Sequence, residues 1–323
     1  MQERSVKGIS VVIPCYKSRQ TLPELARLLV PVLEATAEHH EVILVVDGSP
    51  DDTWDVARSL AEKYPTLEAI WLSRNYGQHN AILAGIRAAR FDLIVTMDDD
   101  LQHRPDEITT LVAALGPDLD LVYGVPAQEE HGFFRSFASR NVKAVMALGL
   151  GISNARSISA FRIFRTRLRD GFVGLDGPHA SLDVALSWTT TKTDTALVQM
   201  DHRADGRSNY SFRLLLRHAT NTMLGYSTLP LRFVGYLGFV FGIIGSLLLA
   251  VVLWQFFAGT TTVQGFTTLA SMVAIFSGAQ MVALGVVGEY IARIHSENMG
   301  RPTYVIREQT DRLAAEQNTG GQT

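Results

Sequence analysis

Cysteine is nearly absent: Cys15 is the only one in 323 residues. That excludes an intrachain disulfide framework and any cysteine-rich zinc site. Cys15 itself reads as a small buried residue near the end of a first strand. Net charge is nearly absent too, at −3, so bulk electrostatics give no reason to expect a nucleic-acid partner. The opening residues, MQERSVKGIS, hold no apolar core of signal-peptide length, and the segment they begin is expected to stay in the cytoplasm. No internal repeat is visible. The most informative absence is local. Between Phe233 and Gly288 there is no Asp, Glu, Lys, Arg or His.

That stretch divides into two apolar runs, about 233–257 and 266–287, separated by a polar break from Ala258 to Gly265. At about 1.5 Å per residue, roughly 22 residues reach about 33 Å, enough for a hydrocarbon core of about 30 Å. Both runs are therefore expected to cross a membrane as a two-helix hairpin within 231–290. A buried hairpin in a soluble core is the competing reading, and 56 uncharged residues exceed what such a core needs. Arg203, Arg207, Arg213, Arg217 and Arg232 precede the pair; Arg293, Arg301 and Arg307 follow it; the break has no Lys or Arg. The positive-inside bias then places both chain ends in the cytoplasm of a multi-pass protein of the inner or plasma membrane. Residues 291–323 would be a cytoplasmic tail, its last residues disordered. Gly235, Gly238, Gly242 and Gly245, with Ser277, Gly278, Gly285 and Gly288, would let helices pack closely, within the pair or in a homo-oligomer. Residues 211–230 mix Leu and Phe with Arg and suit either an interfacial helix or an ordinary surface one.

The first 210 residues have a different texture. Apolar, β-branched runs at Ser10–Pro14, Glu41–Val46, Leu67–Leu72 and Asp92–Met97 alternate with helical patterns at Thr21–Ala37, Asp51–Tyr64 and Gln78–Ala89. Asp51 or Asp52 can cap the second helix. Strands that are near-continuously apolar and alternate with helices predict an α/β domain with a parallel sheet covered on both faces. In such sheets ligands bind beyond the carboxyl ends of the strands. Three of those ends carry polar clusters: Pro14-Cys-Tyr-Lys17, Asp47-Gly-Ser-Pro-Asp-Asp52 and Asp98-Asp-Asp-Leu-Gln102.

Three adjacent aspartates repel one another unless something positive joins them. If the strand runs on through them, Asp98 and Asp100 share a face and Gln102 adds a neutral oxygen to it. Such a set suits a hard divalent cation, and Mg²⁺ is typically held by one or two carboxylates plus substrate phosphates. The ligand expected is thus a metal–diphosphate complex. The competing reading, that the aspartates only cap a turn, gains nothing from their number.

The segments SVVIPCYKS, VVDGSPDDT, LSRNYGQHNAILAG and MDDDLQHRPDEI resemble the inverting glycosyltransferases of family 2. With SAFRIFR, DGRSNYSF, the hairpin and GEYIARIHSE…RPTY, the resemblance narrows to the polyisoprenyl-phosphate glycosyltransferases and covers about residues 8–307. It implies a Rossmann-like nucleotide-sugar-binding domain of the GT-A type, followed by the transmembrane hairpin. The implied reaction moves one sugar from a nucleotide-diphospho-sugar, UDP-linked at first guess, to a polyprenyl phosphate at the cytoplasmic membrane face.

By the same resemblance, Pro14, Tyr16 and Asp47 would contact base and ribose, and Asn75 and Gly77 would line that pocket. Asp98 and Asp99 would join the nucleotide-sugar contacts; Asp98, Asp100 and Gln102 would hold Mg²⁺ or Mn²⁺. Arg162, catalytic with Asp98 and Asp100, would meet the donor diphosphate or the lipid phosphate. Arg135, Arg203, Ser208 and Tyr210 would serve the acceptor side. Lys17-Ser18 stands where many relatives have Asn-Glu, Val46-Asp47 where two acidic residues are common, and Asn209 where a lysine is. His79 and His103 read as turn residues, Arg140 as a solvated helix arginine, Trp188 as packing. His179 and Asp183 stay open between packing and the sugar. A processive polysaccharide synthase would carry Gln-x-x-Arg-Trp, and no Arg-Trp pair occurs. A silent membrane scaffold need not keep Asp98 and Asp100, and a metal-dependent phosphatase would not need the polar tips upstream.

Overall fold

A computed structural model describes residues 6–127, 158–172, 181–201, 229–259 and 265–310. They fall into two compact units, one built on a sheet that includes residues 301–310 and one holding two long helices.

The sheet unit begins β1 (Val6–Cys15), α1 (Leu22–Thr36), β2 (Ala37–Val46), α2 (Thr53–Lys63), β3 (Leu67–Leu72), α3 (Gln78–Ala88) and β4 (Leu93–Thr96). It continues with α4 (Ile108–Ala114), β5 (Leu121–Pro126), β6 (Arg162–Arg165), α5 (Leu182–Thr189), β7 (Thr193–Val198) and, far along the chain, β8 (Ile306–Gln309). The eight strands lie in the order β7-β5-β6-β4-β1-β2-β3-β8. β4, β1, β2 and β3 are mutually parallel, as the alternation of strands and helices predicts. Beyond them β6 runs antiparallel to both β4 and β5, and β8 antiparallel to β3.

Alternation along the strands fills two cores. Ile9, Val11 and Ile13 face α1 and α2, joining Leu25, Leu29 and Trp54. Val12, Ile43 and Val45 face the other way, toward Ala81, Ile82 and Leu83 of α3 and Leu182 and Leu186 of α5. α1 buries Leu22, Leu25, Ala26, Leu29, Val30 and Leu33, a helical stripe that continues past Pro31. α3 sits very close to the sheet: a Cβ on Gly85 would come within 2.3 Å of Val12. Cys15 ends β1 and is fully buried.

The second unit is α6 (Leu229–Phe257) and α7 (Phe266–Asn298). Spans at Pro230–Gln255 and Ile275–His295 are long and apolar enough to cross a membrane, and neither window is buried, unlike a core helix of a soluble protein. α7 has 33 residues, about 50 Å, so its charged end, with Glu289 and Arg293 paired at 3.7 Å, extends past the uncharged run. Phe241 and Phe276 meet edge to face at 5.8 Å. The glycines do not make that contact: a Cβ on Gly235, Gly238, Gly242, Gly245, Gly278, Gly285 or Gly288 meets nothing within 4 Å.

Candidate active site

The carboxyl ends of β1, β2, β3 and β4 bring four polar segments together, and two aspartates, Asp47 buried and Asp99 half-buried, hold them in place. At the β2 tip, Asp47 is 3 % exposed. Its two carboxylate oxygens accept one main-chain N–H each, from Tyr76 at 2.7 Å and Gly77 at 2.8 Å. Burial raises its pKa and these two bonds oppose the rise. The 73–77 segment between β3 and α3 is therefore clamped to β2. Gly48 makes the clamp sterically possible. Its φ is +55°, and a Cβ there would lie 2.1 Å from the carbonyl carbon of Arg74 and 2.3 Å from the nitrogen of Asn75. Gly77, at φ +92°, turns the chain into α3.

At the β4 tip the three aspartates point to different partners. Strand geometry stops at Thr96; residues 99–101 bend, and Leu101 takes φ +61°. The alternation expected of an extended chain thus does not run through the triad. Asp99 turns inward instead: its Oδ2 accepts the Tyr16 N–H at 3.2 Å and the Ser18 hydroxyl. Burial pushes its pKa up to about 6, against those hydrogen bonds, with Asp98 and Asp100 adding to the rise. Asp98 Oδ1 accepts from Gln78 Nε2 at 2.6 Å, and Asp100 Oδ1 from the Gln102 N–H at 3.1 Å. His103 accepts the Asp98 N–H on Nδ1 at 3.1 Å and stacks on Phe161 at 5.1 Å. Burial pushes its pKa down to about 4. It is a neutral turn residue, as its position in the sequence suggests.

The β1 tip is stitched to both neighbours. The Lys17 N–H donates to Ser49 Oγ at 2.9 Å and the Ser18 N–H to Thr53 Oγ1 at 3.0 Å; both hydroxyls donate on to Asp51, at 2.5 and 2.6 Å. Lys17 holds φ +59°, a left-handed backbone that Asn adopts more readily, and these bonds stabilise it there. Tyr16 stays 44 % exposed with the Lys17 ammonium 5.4 Å from its ring. The turn carrying Asp98 and Gln102 also bonds forward: Gln102 O accepts the Asp201 N–H at 2.9 Å.

A positive charge whose field Asp98 shares comes from β6. Arg162 pairs in register with Thr96 and is 2 % exposed. Its Nε donates to Thr96 Oγ1 at 3.1 Å, its Nη1 pairs with Asp183, and it lies 5.8 Å from the centre of the Tyr123 ring. Asp98 is among the carboxylates whose field favours its charged form. Asp183 is thereby placed: it packs against Arg162. Trp188, expected to pack, is 64 % exposed. Arg135, Arg140, His179, Arg203, Ser208, Tyr210 and most of 211–230 lie outside the described residues.

Among the described residues no three of His, Cys, Asp and Glu gather as a metal site. The donors at the β4 tip are two carboxylates and an amide, an oxygen-only set that fits a hard cation completing its shell with phosphate and water.

Residues 10–175 match the profile of Glycosyl transferase family 2. The chain belongs to that family. The undecaprenyl-phosphate 4-deoxy-4-formamido-L-arabinose transferase of Photorhabdus laumondii subsp. laumondii is 33 % identical, over 95 % of this chain and 96 % of that one. The transferase of the same name from Sodalis glossinidius is 32 % identical, over 94 % of each chain. Among solved structures, glucosyl-3-phosphoglycerate synthase from Mycobacterium tuberculosis, in complex with Mn²⁺, uridine diphosphate and glucosyl-3-phosphoglycerate, superposes with a TM-score of 0.51. It is 18 % identical over 68 % of this chain and 80 % of that one, a likeness of fold. This glycosyltransferase therefore has its strand-tip site on the sheet that the alternating sequence pattern predicts.

Sequence reasoning missed the residues that build the site without facing a ligand. Ser18, Ser49 and Thr53 join the tips, and Gln78 engages Asp98. Their signal was their place in the motif segments, Ser18 in SVVIPCYKS, Ser49 and Thr53 in VVDGSPDDT and Gln78 in LSRNYGQHNAILAG.

Proposed function

We propose that this family 2 glycosyltransferase transfers one sugar from a nucleotide-diphospho-sugar, a UDP-sugar in the first instance, to a polyprenyl phosphate, with inversion at the anomeric carbon. The observation that carries the reading is that similarity to enzymes named undecaprenyl-phosphate sugar transferases runs over nearly the whole chain, hairpin included. The two membrane-grade helices support a lipid acceptor. The arginine flanks support a cytoplasmic catalytic domain in residues 1–210, an interfacial 211–230, a hairpin in 231–290 and cytoplasmic termini.

Pro14, Tyr16, Asn75 and Gly77 would receive base and ribose, with Asp47 acting through the loop it clamps. Asp98, Asp100 and Gln102 would hold Mg²⁺ or Mn²⁺. Bound there, the ion would neutralise charge on the leaving diphosphate. Asp99 holds the β1 tip beside them. Arg162, buried and paired, balances the acidic tip from beneath. Arg135, Arg203, Ser208 and Tyr210 are assigned to the acceptor phosphate. An oxygen of that phosphate bonds to the anomeric carbon as the bond from that carbon to the donor diphosphate breaks, and the nucleoside diphosphate departs. The nucleophile is already anionic at neutral pH, so the chain's task is to orient two anions rather than to remove a proton.

The test is transfer of label from a panel of UDP- and GDP-sugars into the lipid phase of membranes containing the full-length protein. One sugar should enter the lipid, and Asp100→Ala should lower the rate by about 10³-fold with the fold intact. Full activity in the variant, or no lipid label from any donor, overturns the reading.

A further inference from the structure

Residues beyond the second long helix do not simply trail away. The chain returns to the sheet unit, buries Thr303, and pairs β8 along β3 with Ile70 opposite Gln309 and Trp71 opposite Glu308. The register shifts between Trp71 and Leu72, where the strand nears its tip. All four β8 residues are exposed, so apolar burial does little to hold the strand. It is held by its ladder and a few side chains. Arg307 lies 4.0 Å from the centre of the Trp71 ring, which stacks on Trp54 at 5.2 Å. Gln309 donates to Glu68, and Thr310 exchanges bonds with Ala69 at 3.0 Å in each direction. Tyr304 packs against the core on the α3 side, with Arg87 5.5 Å from its ring.

The last bond of this strap enters the site. Val305 O accepts the N–H of Ser73 at 2.8 Å, the first residue after β3. Ser73 Oγ meets the Tyr76 hydroxyl at 2.9 Å, and the Tyr76 carbonyl accepts from Asn80 Nδ2 of α3 at 2.9 Å. The 73–77 loop is therefore fixed at its entry, Ser73, by the strap and at its exit, Tyr76 and Gly77, by Asp47 and α3.

We propose that residues 303–310 are a positioning element of the donor site: by fixing Ser73 they hold the 73–77 loop in the shape that receives the nucleotide. The inference rests on the reading of that loop as donor-binding. It assigns Tyr304 and Arg307, at the far end of the chain, a share in donor affinity without contact with the donor. None of the residues assigned to the acceptor belongs to this loop, so the effect is expected on the donor alone.

The experiment compares full-length wild type with the double variant Tyr304→Ala/Arg307→Ala and the conservative pair Tyr304→Phe/Arg307→Lys, by hydrogen exchange and kinetics. In the alanine pair, exchange at the Tyr76 and Gly77 amides, which bond to Asp47 and not to the strap, should speed up about tenfold. Donor KM should rise about tenfold, with kcat and acceptor KM within about twofold of wild type; the conservative pair should restore both. If β8 stays protected in the alanine pair, Ile306→Pro, which breaks the ladder, is read in its place. Faster exchange in β8 with the Tyr76 and Gly77 amides unchanged overturns the inference. So does a rise in acceptor KM equal to that in donor KM. Hydrogen exchange needs no turnover, so a failure of the proposed reaction would leave this test standing and would be distinguishable from a failure of the strap.

Discussion

The tips of β2 and β4 solve the same problem with the same residue type in different ways. Each holds a neighbouring loop on an aspartate, buried at β2 and half-buried at β4. Asp47 spends both oxygens, one on each of two main-chain N–H groups. Asp99 uses a single oxygen for an N–H and a hydroxyl, and it sits between two further carboxylates that add to the rise in pKa that burial causes. At the β2 tip the carboxylate is a fastener alone. At the β4 tip the fastener is the middle member of a triad whose outer members turn elsewhere. A run of three acids thus holds an inner member bonded to the β1 tip and outer members bonded to Gln78 and to the Gln102 N–H.

That contrast can be broken in order of severity. Gly48→Ala should be worst, because a methyl there meets the Arg74–Asn75 backbone on a left-handed residue. The expected cost is about 2–5 kcal/mol, read as a lower Tm in detergent and loss of nucleotide protection. Asp47→Asn comes next: an amide can accept one N–H but turns its NH₂ toward the other, leaving a buried donor unpaired, for about 1–3 kcal/mol and a higher donor KM. Asp99→Asn should be milder, within about 1 kcal/mol, since one amide oxygen can take both of its partners and a charge between charges is removed. Equal losses in the two Asn variants would erase the distinction between the tips.

A carboxylate distant from the tips supplies the control. Arg167 pairs with Asp120 and, before any other influence, holds its pKa below the ordinary range. A lowered folded value means stability that is present above the unfolded value of about 3.9 and is lost as pH falls through the folded one. Arg167 is 64 % exposed, so Arg167→Ala should cost under about 1 kcal/mol at neutral pH. The gap in Tm between variant and wild type should close on the acid side.

Much of the sheet was legible because burial on both faces writes itself as continuous apolar runs. β3 occupies the expected residues 67–72. β1 starts earlier than its apolar run, at Val6, and β2 begins at Ala37 with Glu38, His39 and His40 in the strand. Main-chain pairing, Val6 with Ala37 and Gly8 with His39, carries both past the point where hydrophobicity gives out. β8 left no apolar signal for the same reason. At the site, the positions of Asp98 and Asp100 at a strand end were readable. The inward turn of Asp99 was not, since it depends on Tyr16 and Ser18, more than eighty residues away. Arg162 was readable as a cation near the tip, but its partner Asp183 comes from a helix whose approach only the fold sets.

β8 also sets a timetable. It is encoded after both long helices, 234 residues beyond the end of β3. At roughly 5–20 residues per second of synthesis, the outer rim of β3 waits on the order of 10–50 s for the strand that completes it. During that interval a bare strand margin is a place where nascent chains can adhere to one another. Ribosomal delay or slow insertion of the hairpin would lengthen the exposure, which ties the yield of intact enzyme to the pace of its own biogenesis.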